Sequence, residues 1–153
     1  VARANRADPE GHLYGAIIAA YRTLRDAQAR GARAAYPFGF LAHYVGDLTQ
    51  PLHNVPHDAF NRANHARYDG VVNDRADLRD EIRRRMVPVP IPDEEALITE
   101  VVRIANITRA LERTCRARGW MTQEEAFEQL ARSASLLRGI VEGLGLDAAA
   151  QAP

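Results

Sequence analysis

Between His43 and His53 the chain reads His-Tyr-Val-Gly-Asp-Leu-Thr-Gln-Pro-Leu-His, which places three metal-type side chains within one short stretch. His43 and Asp47 stand four apart, so a helix carries them on one face, one turn above the other. Pro51 has no N–H, and its ring clashes with the preceding turn, so the helix must stop there. His53 then falls just past the helix end, on backbone free to turn it towards the same space. A second pair, His65 and Asp69, repeats the spacing in Asn-His-Ala-Arg-Tyr-Asp. Imidazole and carboxylate donors with no thiolate suit a hard-to-borderline divalent ion, zinc first. The candidate ligands are therefore His43, Asp47, His53, His65 and Asp69, and the two carboxylates are also the candidate catalytic groups.

His53, His65 and Asp69 together would make a three-ligand site. Three protein ligands leave a fourth position for water, the arrangement of catalytic rather than structural zinc. His43 and Asp47 would hold, or help to hold, a second metal facing the same cavity. Two ligands on one helix give half a coordination shell, so that second site is expected to be incomplete. Two metals ~3.5–4 Å apart can activate a water and stabilise the leaving oxygen of a phosphate diester. A lone His-x-x-x-Asp pair is most often a solvated surface pair. Two such pairs, with a His set after a Pro between them, argue for more.

The other candidates read more plainly. His57 lies four after His53, but Pro56 breaks any helix between them, which makes it a weaker ligand candidate. His12 sits near a helix start, on plain scaffold. Tyr14, Tyr44 and Tyr68 are packing residues by type, although Tyr44 and Tyr68 neighbour ligands and would line a substrate pocket. Trp120 is expected as a buried anchor between the last two helices, and Cys115 as a buried, inert thiol on an apolar stripe.

The elements that must position these groups are helical. Asp8-Pro9-Glu10 is a start signal: a capping acid, Pro in the first turn, then an acid. Leu13, Ile17, Ala20, Tyr21 and Leu24 follow at helical spacing, and Gly31 ends the run. A second helix covers 33–50, with Phe38, Leu41, Ala42, Val45 and Leu48 on its apolar side. Gly46 within it costs ~1 kcal/mol against Ala, which points to a close backbone approach or to room for metal and substrate. A loop over 51–60 leads to a third helix over 59–73, and a charged helical stretch covers 74–86. Val-Pro-Val-Pro-Ile-Pro over 87–92 can only be an extended connector. Asp93 caps a helix over 94–117 with Leu97, Val101, Ile104, Thr108, Leu111 and Cys115 on one stripe. Gly119 stops it, and Thr122 with Glu125 forms a capping box for a last helix to about 142. The fold class is all-α, an antiparallel bundle of four to five main helices in one domain.

The chain has 153 residues with 46% hydrophobic and 26% charged content, a globular composition. Twenty basic residues balance twenty acidic ones, and all the basic ones are Arg. That balance argues against a general nucleic-acid coat, which would carry a basic excess. One cysteine excludes an intramolecular disulfide and a Cys-based zinc site. No apolar run of ~18 residues is present, so no transmembrane segment is expected, and no signal peptide is visible.

The stretch from His43 to His53 resembles the signature of the zinc-dependent phospholipase C and single-strand nuclease superfamily: His, three residues, Asp, then Gln-Pro-Leu-His. His65-Ala-Arg-Tyr-Asp69 is similar to that family's later His with an acid four residues on. The resemblance implies an all-α fold holding up to three zinc ions in a cleft. By it, His43 would bind one zinc of a close pair, Asp47 would bridge that zinc and a third, and His53, His65 and Asp69 would bind the remaining one. The match covers roughly residues 9–73. The family's N-terminal Trp, its nearby His and an upstream Asp and His have no counterpart here, so the expectation is either a fragment whose upstream residues supply them or a reduced version with fewer metals, one to three zinc ions in all. A secreted or periplasmic location is implied by resemblance alone.

Three readings follow. The first is a zinc-dependent phosphodiester hydrolase like phospholipase C, acting on a small phosphodiester or phospholipid headgroup. The second is a single-strand nuclease of the same superfamily. The third is a non-catalytic helical domain, either metal-binding or a plain interaction module whose histidines form polar networks.

Overall fold

A computed structural model describes residues 13–32 and 35–146. His12 and the Asp8-Pro9-Glu10 start signal lie outside those residues. Six helices are described: α1 (Leu13–Ala29), α2 (Ala35–Thr49), α3 (Ala59–Asp69), α4 (Leu78–Arg85), α5 (Glu94–Arg118) and α6 (Gln123–Gly143). A short 3-10 turn, Pro51–Asn54, follows α2. No strand occurs among the described residues, so the all-α expectation holds. No described helix is long and apolar enough to cross a membrane.

Local chemistry sets the boundaries. Gly31 adopts φ 65°, the left-handed region that favours glycine, just past α1. There the Ala32 N–H donates to the Ala27 carbonyl and the Gly31 N–H to the Gln28 carbonyl, both at 2.9 Å. That is the paired closure of a Schellman end. Asp93 caps α5 by accepting the Ala96 N–H at 2.8 Å. Thr122 and Glu125 form the expected reciprocal box at the start of α6, at 3.0 and 2.8 Å.

Two expectations are corrected. The charged stretch 74–86 is helical only as α4, over Leu78–Arg85. Gly70 ends α3, and the Asn73 N–H to Gly70 carbonyl and Arg75 N–H to Val72 carbonyl bonds close turns instead, with Val72 buried. Trp120 is no buried anchor, since it is 42% exposed. The left-handed Gly119 turns the chain at the end of α5, and the Arg118 guanidinium lies 4.4 Å over the indole. Met121 takes the buried place.

The core has two adjoining parts. The larger joins Ile17 and Leu24 of α1, Leu41, Val45 and Leu48 of α2, Leu97, Val101 and Ile104 of α5, and Leu136 and Ile140 of α6. The smaller joins Leu52, Tyr68, Val72, Cys115, Met121, Ala126 and Phe127. Burial, with Glu125 nearby, pushes the Cys115 thiol up to about 11, consistent with an inert thiol. The 87–92 connector lies directly on α6. A Cβ at Gly139 would stand 1.9 Å from the Val89 carbonyl oxygen, and one at Gly143 1.9 Å from that of Ile91. Only glycine permits this approach, and it sets Ile91 into the larger core.

Candidate metal centre

The centre is built where α2 stops. Gln50 caps the 3-10 turn, its Oε1 accepting the Leu52 N–H. Asn54 Nδ2 donates to the Leu48 carbonyl, which the end of α2 leaves open, and to the Gln50 carbonyl, which also takes the His53 N–H, each at 2.9 Å. Leu52 is fully buried in the smaller core cluster, so the turn is pinned from below and His53 projects from it. Asp58 starts α3 by accepting the Asn61 N–H at 2.8 Å. That bond, with the Arg116 guanidinium at 2.9 Å, holds the Asp58 carboxyl below its usual range.

His65 and Asp69 lie on consecutive turns of α3 and meet His53 across the gap. His53 Nε2 and His65 Nε2 are 2.9 Å apart. Asp69 Oδ2 is 3.4 Å from His65 Nε2, and Asp69 Oδ1 is 3.9 Å from His53 Nε2. One ligand atom from each of the three residues lies within 4.8 Å of the others, so the group could hold a metal ion.

The surrounding hydrogen bonds fix which ring nitrogens are free. His53 Nδ1 faces Asp47 Oδ1 at 2.9 Å, and a carboxylate only accepts, so Nδ1 carries the proton. Asn61 is buried and donates through Nδ2 to the Leu52 carbonyl at 2.6 Å. Its Oδ1 is thereby turned to His65 Nδ1, 2.9 Å away, which must donate. With Nδ1 of each ring donating, any neutral imidazole of the pair presents a bare Nε2 lone pair to the other ring. Facing lone pairs repel unless a cation or a proton sits between them. Two donors ~2.05 Å from one tetrahedral ion would stand ~3.3 Å apart, close to the observed separations. Gln50 Nε2 donates to Asp69 Oδ1 at 2.6 Å, which leaves Oδ2 as that carboxylate's free donor. Locking the second nitrogen or oxygen of each ligand in this way is the usual support of a metal-ligating shell. Among the described residues, the ion-pair partners of Asp47 and Asp69 are histidines, with no Arg among them.

The structure brings His53, His65 and Asp69 together and places the other pair differently. Asp47 lines the cavity as the acceptor for His53, while His43 stands outside, its Nε2 3.3 Å from Asp47 Oδ2. The cavity, about 200 Å³, is also lined by Leu13, Leu52, Val55, His57 and Asn61. The His57 ring is parallel to that of His65 at 6.1 Å, on the rim rather than in the ligand group. Tyr14 donates to Asn54 Oδ1 at 3.0 Å, and burial raises its hydroxyl above the usual range. Gly46 has open space where a Cβ would go, so the close backbone approach expected there is absent. Sequence reasoning missed the supporting roles of Gln50, Asn54 and Asn61. Two of them had a positional signal: Gln50 precedes the Pro of the turn, and Asn61 stands four before His65.

A larger groove of about 740 Å³ lies between the 87–90 connector and the first turns of α5. Its ionisable lining is Asp93, Glu95 and the Glu100–Arg103 ion pair, and Asp93 is already used as a helix cap. It gathers no ligand set among the described residues. No family model, no curated protein and no solved structure matches this chain.

Proposed function

We propose that this protein is a zinc-dependent phosphodiester hydrolase whose metal is held by His53, His65 and Asp69. The observation that carries the reading is the pair of facing Nε2 atoms 2.9 Å apart, each ring fixed by a partner on its other nitrogen. Two imidazoles and a carboxylate suit zinc along with other borderline divalent ions, zinc being the one the resemblance of the 43–53 stretch implies, and three protein ligands leave room for a substrate or water. Bound there, zinc would supply Lewis acidity towards a phosphate ester and a water.

The chain's own groups do the positioning. Asp47 holds the His53 tautomer, and Asn61 holds that of His65. Gln50 ties the turn to Asp69, linking the two segments that carry ligands. His57 adds a polar group at the cavity rim. The resemblance of the 43–53 and 65–69 stretches to the phospholipase C and single-strand nuclease superfamily supports the reaction class. A phospholipid headgroup or small phosphodiester is the favoured substrate, with single-stranded nucleic acid the alternative.

A second reading is a non-catalytic metal-binding domain. It is favoured by His43, which stands outside the cavity rather than completing a second metal position with Asp47. The test is zinc titration by calorimetry together with hydrolysis of bis(p-nitrophenyl) phosphate, with and without a chelator. Zinc binding plus chelator-sensitive turnover is expected. Zinc binding without turnover on this ester, a phosphatidylcholine or an oligonucleotide selects the second reading. Failure to bind zinc removes both.

A further inference from the structure

The outward side of α2 is unusual for a surface helix. Tyr36 is 77% exposed and Phe40 43% exposed, one turn apart, with ring centroids 4.9 Å apart in an edge-on contact. Tyr44, half-buried, continues the row at 6.3 Å from Phe40, and its ring lies 5.7 Å from that of His43. Gly39 precedes Phe40 and Gly46 follows Tyr44 by two residues, each with nothing within 4 Å of where a Cβ would go. Each glycine costs roughly 1 kcal/mol of helix propensity against Ala, and no internal contact requires it. From Ala35 to Thr49 the helix contains no Arg, and Asp47, already bound to His53, is its one fixed charge. The exposed apolar side chains of α5, Ile98 and Val102, are by contrast set beside the Glu100–Arg103 ion pair.

We propose that this aromatic side of α2 is a docking surface for the interface of a neutral phospholipid bilayer, which it would bring up to the metal centre at the helix's other end. The chemistry of the face selects the occupant. Exposed Tyr and Phe favour the boundary between headgroups and acyl chains, where an apolar ring is buried and a hydroxyl stays wet. A single nucleic-acid strand laid along the ~16 Å from Tyr36 to Asp47 would need cations beside the rings. The helix supplies none, and the whole chain has no basic excess. A second copy seated here would cover His43 and the mouth beside Asp47. Two exposed rings also fall well short of the ~800 Å² per partner of a stable interface. The inference goes beyond the catalytic reading and does not depend on metal being bound.

The test is co-flotation of the full chain with phosphatidylcholine vesicles, in the presence of a chelator. The expected result is partition into the vesicle layer, reduced about tenfold in Tyr36→Ser/Phe40→Ser. Both positions face solvent, and an unchanged circular dichroism spectrum would confirm that the variant folds. As an independent readout, Phe40→Trp in a Trp120→Phe background should shift its emission to the blue on adding vesicles. No flotation, or equal flotation of native and double variant, overturns the proposal. So does a double variant that loses oligothymidylate binding or a concentration-dependent dimer instead. His65→Ala should lose zinc and still float, whereas a chain that binds zinc but does not float sinks this surface alone and leaves the proposed metal centre intact.

Discussion

His43–Asp47 on α2 and His65–Asp69 on α3 have the same residues at the same spacing, yet they sit in opposite senses. In the first pair the carboxylate is turned in, 20% exposed, and the imidazole out, 68% exposed. In the second the imidazole is turned in, 34% exposed, and the carboxylate is the more open at 48%. Helical spacing makes the two members of a pair neighbours, but it does not choose which one points inwards. The choice is made by a third group, His53. Its Nδ1 takes Asp47 and its Nε2 meets His65, so one side chain fixes the inward member of both pairs. The result is a division of labour: α3 carries two of the three side chains that could hold an ion, and α2 supplies the acceptor that orients the third, His53.

That division is tested most severely at His65. Removing it takes away one of two facing nitrogens, leaving one imidazole and one carboxylate. His65→Ala is expected to weaken zinc binding by at least about 100-fold, measured by competition with a chelating dye. It should also remove any rise in melting temperature on adding zinc, since that rise reports binding to the folded state alone. Asp69→Ala comes next. It leaves two imidazoles, too few to hold the ion firmly, and hydrolysis of bis(p-nitrophenyl) phosphate should fall to background. Full turnover in either variant would break the assignment of α3 as the donor-bearing helix.

The helices and their caps were legible because each rests on local chemistry. Apolar spacing, Asp93, the Thr122–Glu125 box and Gly119 act within a few residues of where they stand. The meeting of His53, His65 and Asp69 was legible for a related reason: Pro51 ends one helix, and Asp69 follows His65 by one turn. What the sequence hid is non-local. That Asn61 reaches back to the Leu52 carbonyl, and Gln50 forward to Asp69, depends on how α3 is laid against the turn. The seating of the 87–92 connector on Gly139 and Gly143 was equally hidden, because two glycines four apart in a helix are uninformative until a second backbone lies across them. Trp120 misled for a related reason. Its size suggests burial, but the left-handed turn at Gly119 decides its direction.

Asp47 sharpens the comparison at an intermediate level. It faces His53 Nδ1 and neither of the two facing Nε2 atoms, so its loss should act through the orientation of His53. Asp47→Ala is expected to weaken zinc binding about 10–100-fold, the usual range for an outer partner of a ligating histidine. Asp47→Asn should be milder, because an amide oxygen can still accept from His53 Nδ1. An Asn variant as damaging as the Ala variant would show that the negative charge, and not the hydrogen bond, is what matters. Asp47 would then belong with the metal's own ligands.

The smallest effect is expected at His43, and it bears on the number of metals. His43 Nε2 lies 3.3 Å from Asp47 Oδ2, longer than the 2.9 Å contact that Asp47 makes with His53. The ring is mostly in solvent, where an ion pair or hydrogen bond of this kind contributes little. If Asp47 works only by orienting His53, then His43→Ala removes a loose second contact from that carboxylate and nothing more. Zinc affinity and turnover should change by no more than about twofold, well below the usual range for an outer partner of a ligating histidine. Calorimetry should show the same number of zinc ions bound per chain before and after the substitution. A drop in stoichiometry would mean that His43 swings inwards to share an ion with Asp47, and that the outward placement of α2's imidazole is not its working position.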